Sequence, residues 1–424
     1  MIKKFIVSIS LLFSVVLVAQ QGTSSPYSFY GIGEVRFRVT IENRSMSGLS
    51  IIPDSIHLNI ENPAMYSSLR LTTYALGGNV SVNKLSSDSQ TEKAKRTTLD
   101  YLAVGLPLKR IGVGFGLIPY SSVGYNVGNS VTDGSGFRTD NYYSGDGGIN
   151  KVFLGLGFKI SKKLSFGADA QYNFGKINTK TISMQYMPDG TQIQYGTREI
   201  NSSQVRGVNF NMGLSYQSKL NKKISLFSSL TYSPEANLYL SNGRTLALIQ
   251  AFSGTVESVL GDVVDVPVDN TILKLPSKFT FGIGIGEVKK WIIGTQITKQ
   301  GTSSFGSRFN DVTTVRYENS TRFVLGGYYI PNYKSYNNFF NKVVYRGGFR
   351  YENTGLIIND QSIKDAALTL GLGLPLRGTF SNVNFGFELG NRGTQSAGLV
   401  KENYMNFSIG LSLNDQWFIK RKYN

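Results

Sequence analysis

Residues 164–174 read Leu-Ser-Phe-Gly-Ala-Asp-Ala-Gln-Tyr-Asn-Phe. Leu164, Phe166, Ala168, Ala170, Tyr172 and Phe174 are apolar, and the residues between them are small or polar. A period of two predicts a β-strand with one apolar face. The same rule governs 111–117, 154–160, 208–216, 279–285, 368–374, 383–389 and 407–413. A soluble sandwich shows some alternation, but it does not crowd Phe, Leu and Ile onto one face of every strand beside only 17% charged residues. The pattern predicts an all-β chain, a transmembrane antiparallel β-barrel whose apolar face meets lipid and whose small, polar face lines a lumen.

The ends and the charges locate that barrel. Lys3 and Lys4, the apolar run from Phe5 to Val18 and the small Ala19 before Gln20 predict a signal peptide over 1–19. A single membrane anchor is the competing reading, and the run is short for one. The chain has no cysteine, so it carries no disulfide, thiolate metal site or lipoprotein anchor. Its net charge is +17. The basic residues gather in short turns at 107–110, 161–163, 221–223 and 288–290, with a variant at 376–379, and form no basic helix. Membrane lipid and lipopolysaccharide are therefore the expected neighbours, with no nucleic acid. Short turns belong on the periplasmic side and long loops outside, here 125–148, 185–203, 238–275, 301–320 and 330–341. Residues 246–266 partly fit a helix. Counting between turns predicts about fourteen strands over 72–418, an even number as bacterial barrels require. A basic tail, 419–424, follows.

Residues 20–71 lack a sustained period yet are rich in Ile, Leu, Tyr and Phe. Such a segment packs against something, and the interior of a wide barrel is its natural home, as a hatch or plug. Many of the 47 glycines fall on the inward face. Either they let strands bend or they admit the close approach of a plug or apolar ligand. Pro63 biases Asn62 away from helix, and Asn62 can bond neighbouring backbone. Asn62-Pro63-Ala64 is thus either an ordinary turn or the point that pins the plug to the wall.

Catalytic chemistry is missing. The one histidine, His57, lies between Ile56 and Leu58 and reads as a satisfied packing residue. No HExxH, GxSxG, P-loop or EF-hand pattern occurs. Asp133, Asp140, Asp146 and Glu199 fall in expected loops and read as solvated. No catalytic, cofactor-binding or metal-binding residue is assigned, and the chain is not expected to be an enzyme.

Met46-Ser47-Gly48-Leu49-Ser50, then Asp54, then Asn62-Pro63-Ala64 resembles the hatch of the FadL family of outer-membrane transporters. Residues 275–282, Leu-Pro-Ser-Lys-Phe-Thr-Phe-Gly, are similar to that family's proline-led strand. The opening 25–33 and the ending 417–422 are similar to its Bacteroidota branches. The resemblance implies a fourteen-stranded barrel, an N-terminal hatch carrying Asn62, Pro63 and Ala64, and passage of hydrophobic compounds such as long-chain fatty acids. A Bacteroidota relative is a carrier in protein secretion, and other members attach to barrel-assembly machinery. Two functions follow as expectations. One is transport of a hydrophobic small molecule. The other is a non-transporting subunit beside other outer-membrane proteins in an assembly or secretion complex. Many outer-membrane barrels end on an aromatic residue, whereas six residues follow Phe418 here.

Overall fold

In the computed structural model, the alternation at 164–174 becomes part of one strand, Leu164–Tyr186. The described residues are 22–35, 39–193, 195–252, 257–304, 315–335 and 337–417. The expected signal peptide, Phe418 and the tail 419–424 lie outside them, as does part of the expected loop 301–320.

Fourteen strands close into an antiparallel barrel. They are β1 (Thr72–Ser86), β2 (Thr91–Leu108), β3 (Ile111–Thr132), β4 (Arg138–Lys159), β5 (Leu164–Tyr186) and β6 (Gly196–Lys219). β7 joins Ser225–Ser233 to Ala236–Phe252, and β8 joins Glu257–Val266, Thr271–Leu275 and Lys278–Glu287. β9 is Trp291–Gln300, and β10 joins Val315–Tyr317 to Ser320–Tyr329. β11 (Val344–Ile358), β12 (Gln361–Pro375), β13 (Asn382–Arg392) and β14 (Lys401–Asp415) complete the wall. β14 pairs with β1 from Lys401↔Ser86 to Asp415↔Thr72, so no edge is left at the closure.

Burial is inverted relative to a soluble protein. Phe210 is 52% exposed, while its neighbours Asn209 and Asn211 are 3% and 6% exposed. Phe279, Leu368 and Phe407 likewise face outward, opposite buried Thr280, Thr369 and Ser408. This decides between barrel and sandwich, because apolar side chains are stable outside only against lipid tails. The barrel is an outer-membrane barrel. Among the described residues no helix is long and apolar enough to cross a membrane.

Two expectations are corrected. The partial helix at 246–266 is a hairpin between Ala236–Phe252 and Glu257–Val266. Its apolar residues obey a period of two: Leu246 and Leu248 point out, Ala247 and Ile249 in. The long loops at 125–148, 185–203 and 238–275 are mostly strand. β3 to β6 run for 22, 22, 23 and 24 residues. At about 3.3 Å per residue and ~40° of tilt they rise roughly 55–60 Å, over twice the ~25 Å apolar band. A tall extracellular wall therefore stands beyond the bilayer on this side.

Described residues of the N-terminal segment pack against the inner face of the wall. Ile41, Leu49, Ile51, Leu58 and Tyr66 are fully buried against the inner wall. Each contributes about 1.5–3 kcal/mol of apolar burial. Inward glycines make room: a Cβ on Gly112 would sit 1.9 Å from the Tyr66 carbonyl oxygen, and one on Gly167 2.4 Å from the Ala64 nitrogen. Close approach, rather than strand bending, explains these positions.

Candidate functional site: a plugged lumen and a seam in its wall

The lower contact is built on Asn62. Its side chain accepts from the Ala64 N–H at 3.0 Å and so caps the short helix Pro63–Ser68, a single 3₁₀ stretch. Pro63 follows at the first helical position, where its missing N–H costs nothing. The Asn62 amide donates to the Leu214 carbonyl at 3.0 Å and to Ser229 Oγ at 2.8 Å, reaching β6 and β7. Asn211 donates to the Glu61 carbonyl at 3.0 Å, and Lys278 pairs with Glu61 at 2.9 Å. Across the lumen, Ser47 N–H donates to Thr369 Oγ1 at 2.9 Å, and Ser50 N–H to Gln296 Oε1 at 2.9 Å. These bonds tie the segment to β6, β7, β8, β9 and β12.

His57 belongs to the same lower layer. Its Nδ1 lies 2.8 Å from Asp54, and its Nε2 lies 3.9 Å from Glu42. Burial alone would push the imidazole down; the Asp54 carboxylate, and then Glu42, carry it above its ordinary value. Burial opposes ionisation of Asp54 too, but His57 holds it down at about 2. The expected satisfied packing residue amid apolar neighbours is instead one of a charged group, with no hydrogen-bond partner at Nε2 among the described residues.

The upper contact is ionic. Glu34 lies in the two-residue strand Glu34–Val35. It pairs with Arg96 on β2 at 3.2 Å and Arg392 on β13 at 2.7 Å, and accepts from Thr23 Oγ1. Burial would raise its carboxyl, but Arg96 and Arg392 hold it well below the usual range. Arg392 continues to Asp365 at 2.9 Å, and Asp365 to Arg350 at 3.1 Å. Arg350 also meets Glu388 and the Tyr404 hydroxyl, each at 2.9 Å. Such a network is stable only when complete, since one unpaired member is a buried charge.

Between these layers the wall is split. β2 and β3 pair from Leu108↔Ile111 up to Leu102↔Leu117, and the ladder then stops. Two irregularities meet there. Asp100 is bulged out of the β1–β2 register, and Tyr120 out of the β3–β4 register, next to Pro119. A proline cannot donate to a ladder, and a bulge turns a strand aside. The bulges also aim side chains inward: Asp100 pairs with Arg44 at 2.5 Å, and Tyr120 lies under the Lys151 ammonium at 3.6 Å. Above the split, the pairing on this edge of β3 among the described residues is Glu34↔Ser122 and Val35↔Ser121. The Glu34–Val35 strand thus bonds β3 through its backbone and β2 through the Glu34–Arg96 pair, closing the seam from within. Behind it is a cavity of about 250 Å³, lined by Glu34, Arg96, Asp100, Arg350, Asp365 and Arg392 among others.

Asn62, Pro63 and Ala64 therefore stand where the N-terminal segment touches the wall. The ionic layer was not foreseen: the inward face was expected to be small and polar. The available signal was charge at inward positions of alternating strands, as at Arg346 and Arg350, with Gly348 between them facing Met46. The expected loop carboxylate Asp140 is instead a strand residue, accepting from Ser130 at 2.7 Å.

Solved structures share this fold. The Pseudomonas putida toluene transporter TodX superposes with a TM-score of 0.59 at 17% identity, over 91% of this chain and 100% of that one. A Pseudomonas aeruginosa FadL homologue gives 0.58 at 13%, over 90% and 99%. The Ralstonia pickettii toluene transporter TbuX gives 0.56 at 14%, over 88% and 98%. At these identities the likeness speaks for the fold, a FadL-type barrel. No curated protein sequence matches the chain. The model of one protein family, described as BamG, matches residues 1–424. With that match spanning the whole chain, the protein belongs to the BamG family.

Proposed function

We propose that this FadL-type barrel works as a plugged, membrane-embedded subunit of an outer-membrane protein assembly or secretion complex. The observation that carries the reading is the N-terminal segment packed against the inner wall. The segment is bonded to the wall in two layers, and the cavity behind the seam carries buried ion pairs among its apolar lining, whereas pockets for apolar ligands hold few charged groups. Exposed Val127, Val131, Phe137, Val263 and Val264 on the extracellular extensions add support. They sit beyond the apolar band, where lipid does not cover them. The reading also accords with the attachment of other members to barrel-assembly machinery that the FadL resemblance implied. In this reading, residues 1–19 are removed on export, 20–71 form the plug, and Asn62, Pro63 and Ala64 anchor it.

A second reading, passage of an apolar compound such as a long-chain fatty acid, is favoured by the seam between β2 and β3. The solved neighbours include toluene transporters. A cargo leaving sideways would enter the bilayer without crossing water.

Purification in mild detergent separates the two. The subunit reading expects stoichiometric co-purification with other outer-membrane proteins, and a loss of inserted barrels when the chain is depleted. It also expects Asn62→Ala combined with Pro63→Gly to leave uptake of an apolar compound unchanged. A monomer whose depletion spares other barrels, and whose double variant alters uptake, establishes the conduit instead.

A further inference from the structure

The wall carries a second discontinuity, between β6 and β7. Their ladder runs up to Met212↔Tyr232 and resumes at Arg206↔Tyr239. In between, 207–211 face 233–238, one residue longer, and Pro234 interrupts β7. On the inner side the gap is closed by polar groups: Asn173 donates to the Gly207 carbonyl at 3.2 Å, and Ser233 to Asn211 at 3.0 Å. On the outer side it opens as a groove of about 690 Å³, within the ~300–1,000 Å³ of small-ligand sites. Its apolar lining includes Tyr172, Val208, Phe210 and Tyr239, and its charged lining is Arg206 and Glu235, the latter engaged by Lys274.

The height of the groove selects its occupant. Outward side chains on β6 run Tyr216, Leu214, Met212, Phe210, Val208 and then Arg206. The apolar part rises roughly 20–25 Å at ~40° of tilt, which matches the ~25 Å band. Arg206 is therefore the first cation above the hydrocarbon, at the level of outer-leaflet headgroups. Among the described residues it forms no ion pair, and Lys274 two strands away adds a second cation, held by Glu235 at 3.2 Å. A broken ladder facing hydrocarbon is unfavourable unless covered by a group that can hydrogen-bond.

We propose that this groove binds an anionic lipid of the outer leaflet, its acyl chain lying on Val208 and Phe210 and its phosphate on the Arg206 guanidinium. A guanidinium grips phosphate through paired N–H donors, and an acyl chain supplies the apolar half of the contact. The site depends on neither functional reading, only on the barrel standing in a bilayer.

Native mass spectrometry of the full barrel in a neutral detergent tests it, using dioleoyl phosphatidylglycerol, lipid A, dioleoyl phosphatidylcholine and inorganic phosphate as probes. The two anionic lipids are expected to remain bound at least about tenfold better than phosphatidylcholine, and Arg206→Gln to remove that preference, as loss of one charge-assisted bond does. Val208→Trp, which fills the groove and keeps the charge, is expected to lower retention of both. Inorganic phosphate is expected not to displace them. Equal retention by wild type and R206Q, unchanged retention in V208W, or displacement by free phosphate each overturns the proposal. Heat-dependent migration in gels shows that the variants are folded.

Discussion

Replacing Glu34 by alanine probes the seam directly. The carboxylate is buried, with 14% of its side chain exposed, and it faces Arg96 at 3.2 Å and Arg392 at 2.7 Å. Arg392 keeps Asp365 at 2.9 Å after the change. Arg96 loses its carboxylate partner. Removing one member of a buried pair costs about 3–5 kcal/mol, because the other charge stays buried. The penalty falls on docking of the Glu34–Val35 strand, since the barrel ladder itself is untouched. At the lower figure, about 3 kcal/mol, the opening equilibrium of this segment shifts by roughly a hundredfold. Amide exchange of the peptide 28–35, measured in detergent with correction for intrinsic rates, should accelerate by that order, while peptides from β5 and β6 stay protected. Exchange within about threefold of wild type would falsify the claim that Glu34 holds the seam shut.

Two further outcomes follow from the plug. Gly112→Leu brings a Cβ to 1.9 Å from the Tyr66 carbonyl oxygen, so the plug cannot seat and the folded band in unheated gels should be lost. Gly243→Ala, with nothing within 4 Å of the added carbon, should fold as wild type does. The lower layer should also respond to pH. His57 stands above its ordinary value because Asp54 and Glu42 outweigh burial, with the Arg346 charge opposing them. Its contribution is complete below about pH 6.5 and is lost as pH rises through the raised folded value. Asp54, held at about 2 against burial by His57, contributes fully above roughly pH 4 and loses this as pH falls towards 2. Corrected exchange across 54–60 should stay flat between those limits and climb on the alkaline side. His57→Gln should abolish the alkaline rise; a variant that keeps it defeats the assignment.

What could be read from residue order was local. A period of two survives without knowledge of the partners, so the strands and the inside-out burial at Asn209, Phe210 and Asn211 were legible. The basic turns at 161–163 and 221–223 marked where the chain reverses, and Asn62-Pro63 announced its own cap and turn. The height of β3 to β6 was not legible, because polar residues such as Asn126, Asn129 and Ser130 look alike in a loop and in a strand standing in water. The ionic layer was hidden by distance: Glu34 and Arg392 are separated by 358 positions. The split between β2 and β3 lay between these extremes. Pro119 inside an alternating run was a visible ladder-breaker, but the bulge at Asp100 carries no such mark, and its partner Arg44 arrives from the N-terminal segment.

The residues just before the Glu34–Val35 strand also reach the last strand of the wall. Ser25 donates to Glu402, and the Tyr27 hydroxyl donates to the Val400 carbonyl at 2.6 Å, across 377 and 373 positions. Contacts of such long sequence separation form late, after loop closure has been achieved by other means. The leading residues of the chain therefore find their final partners only once the trailing strand has arrived. A clasp of this kind reports completion. A cylinder missing its last stave would leave residues 25–35 loose and open to proteolysis, while a finished one tucks them out of reach.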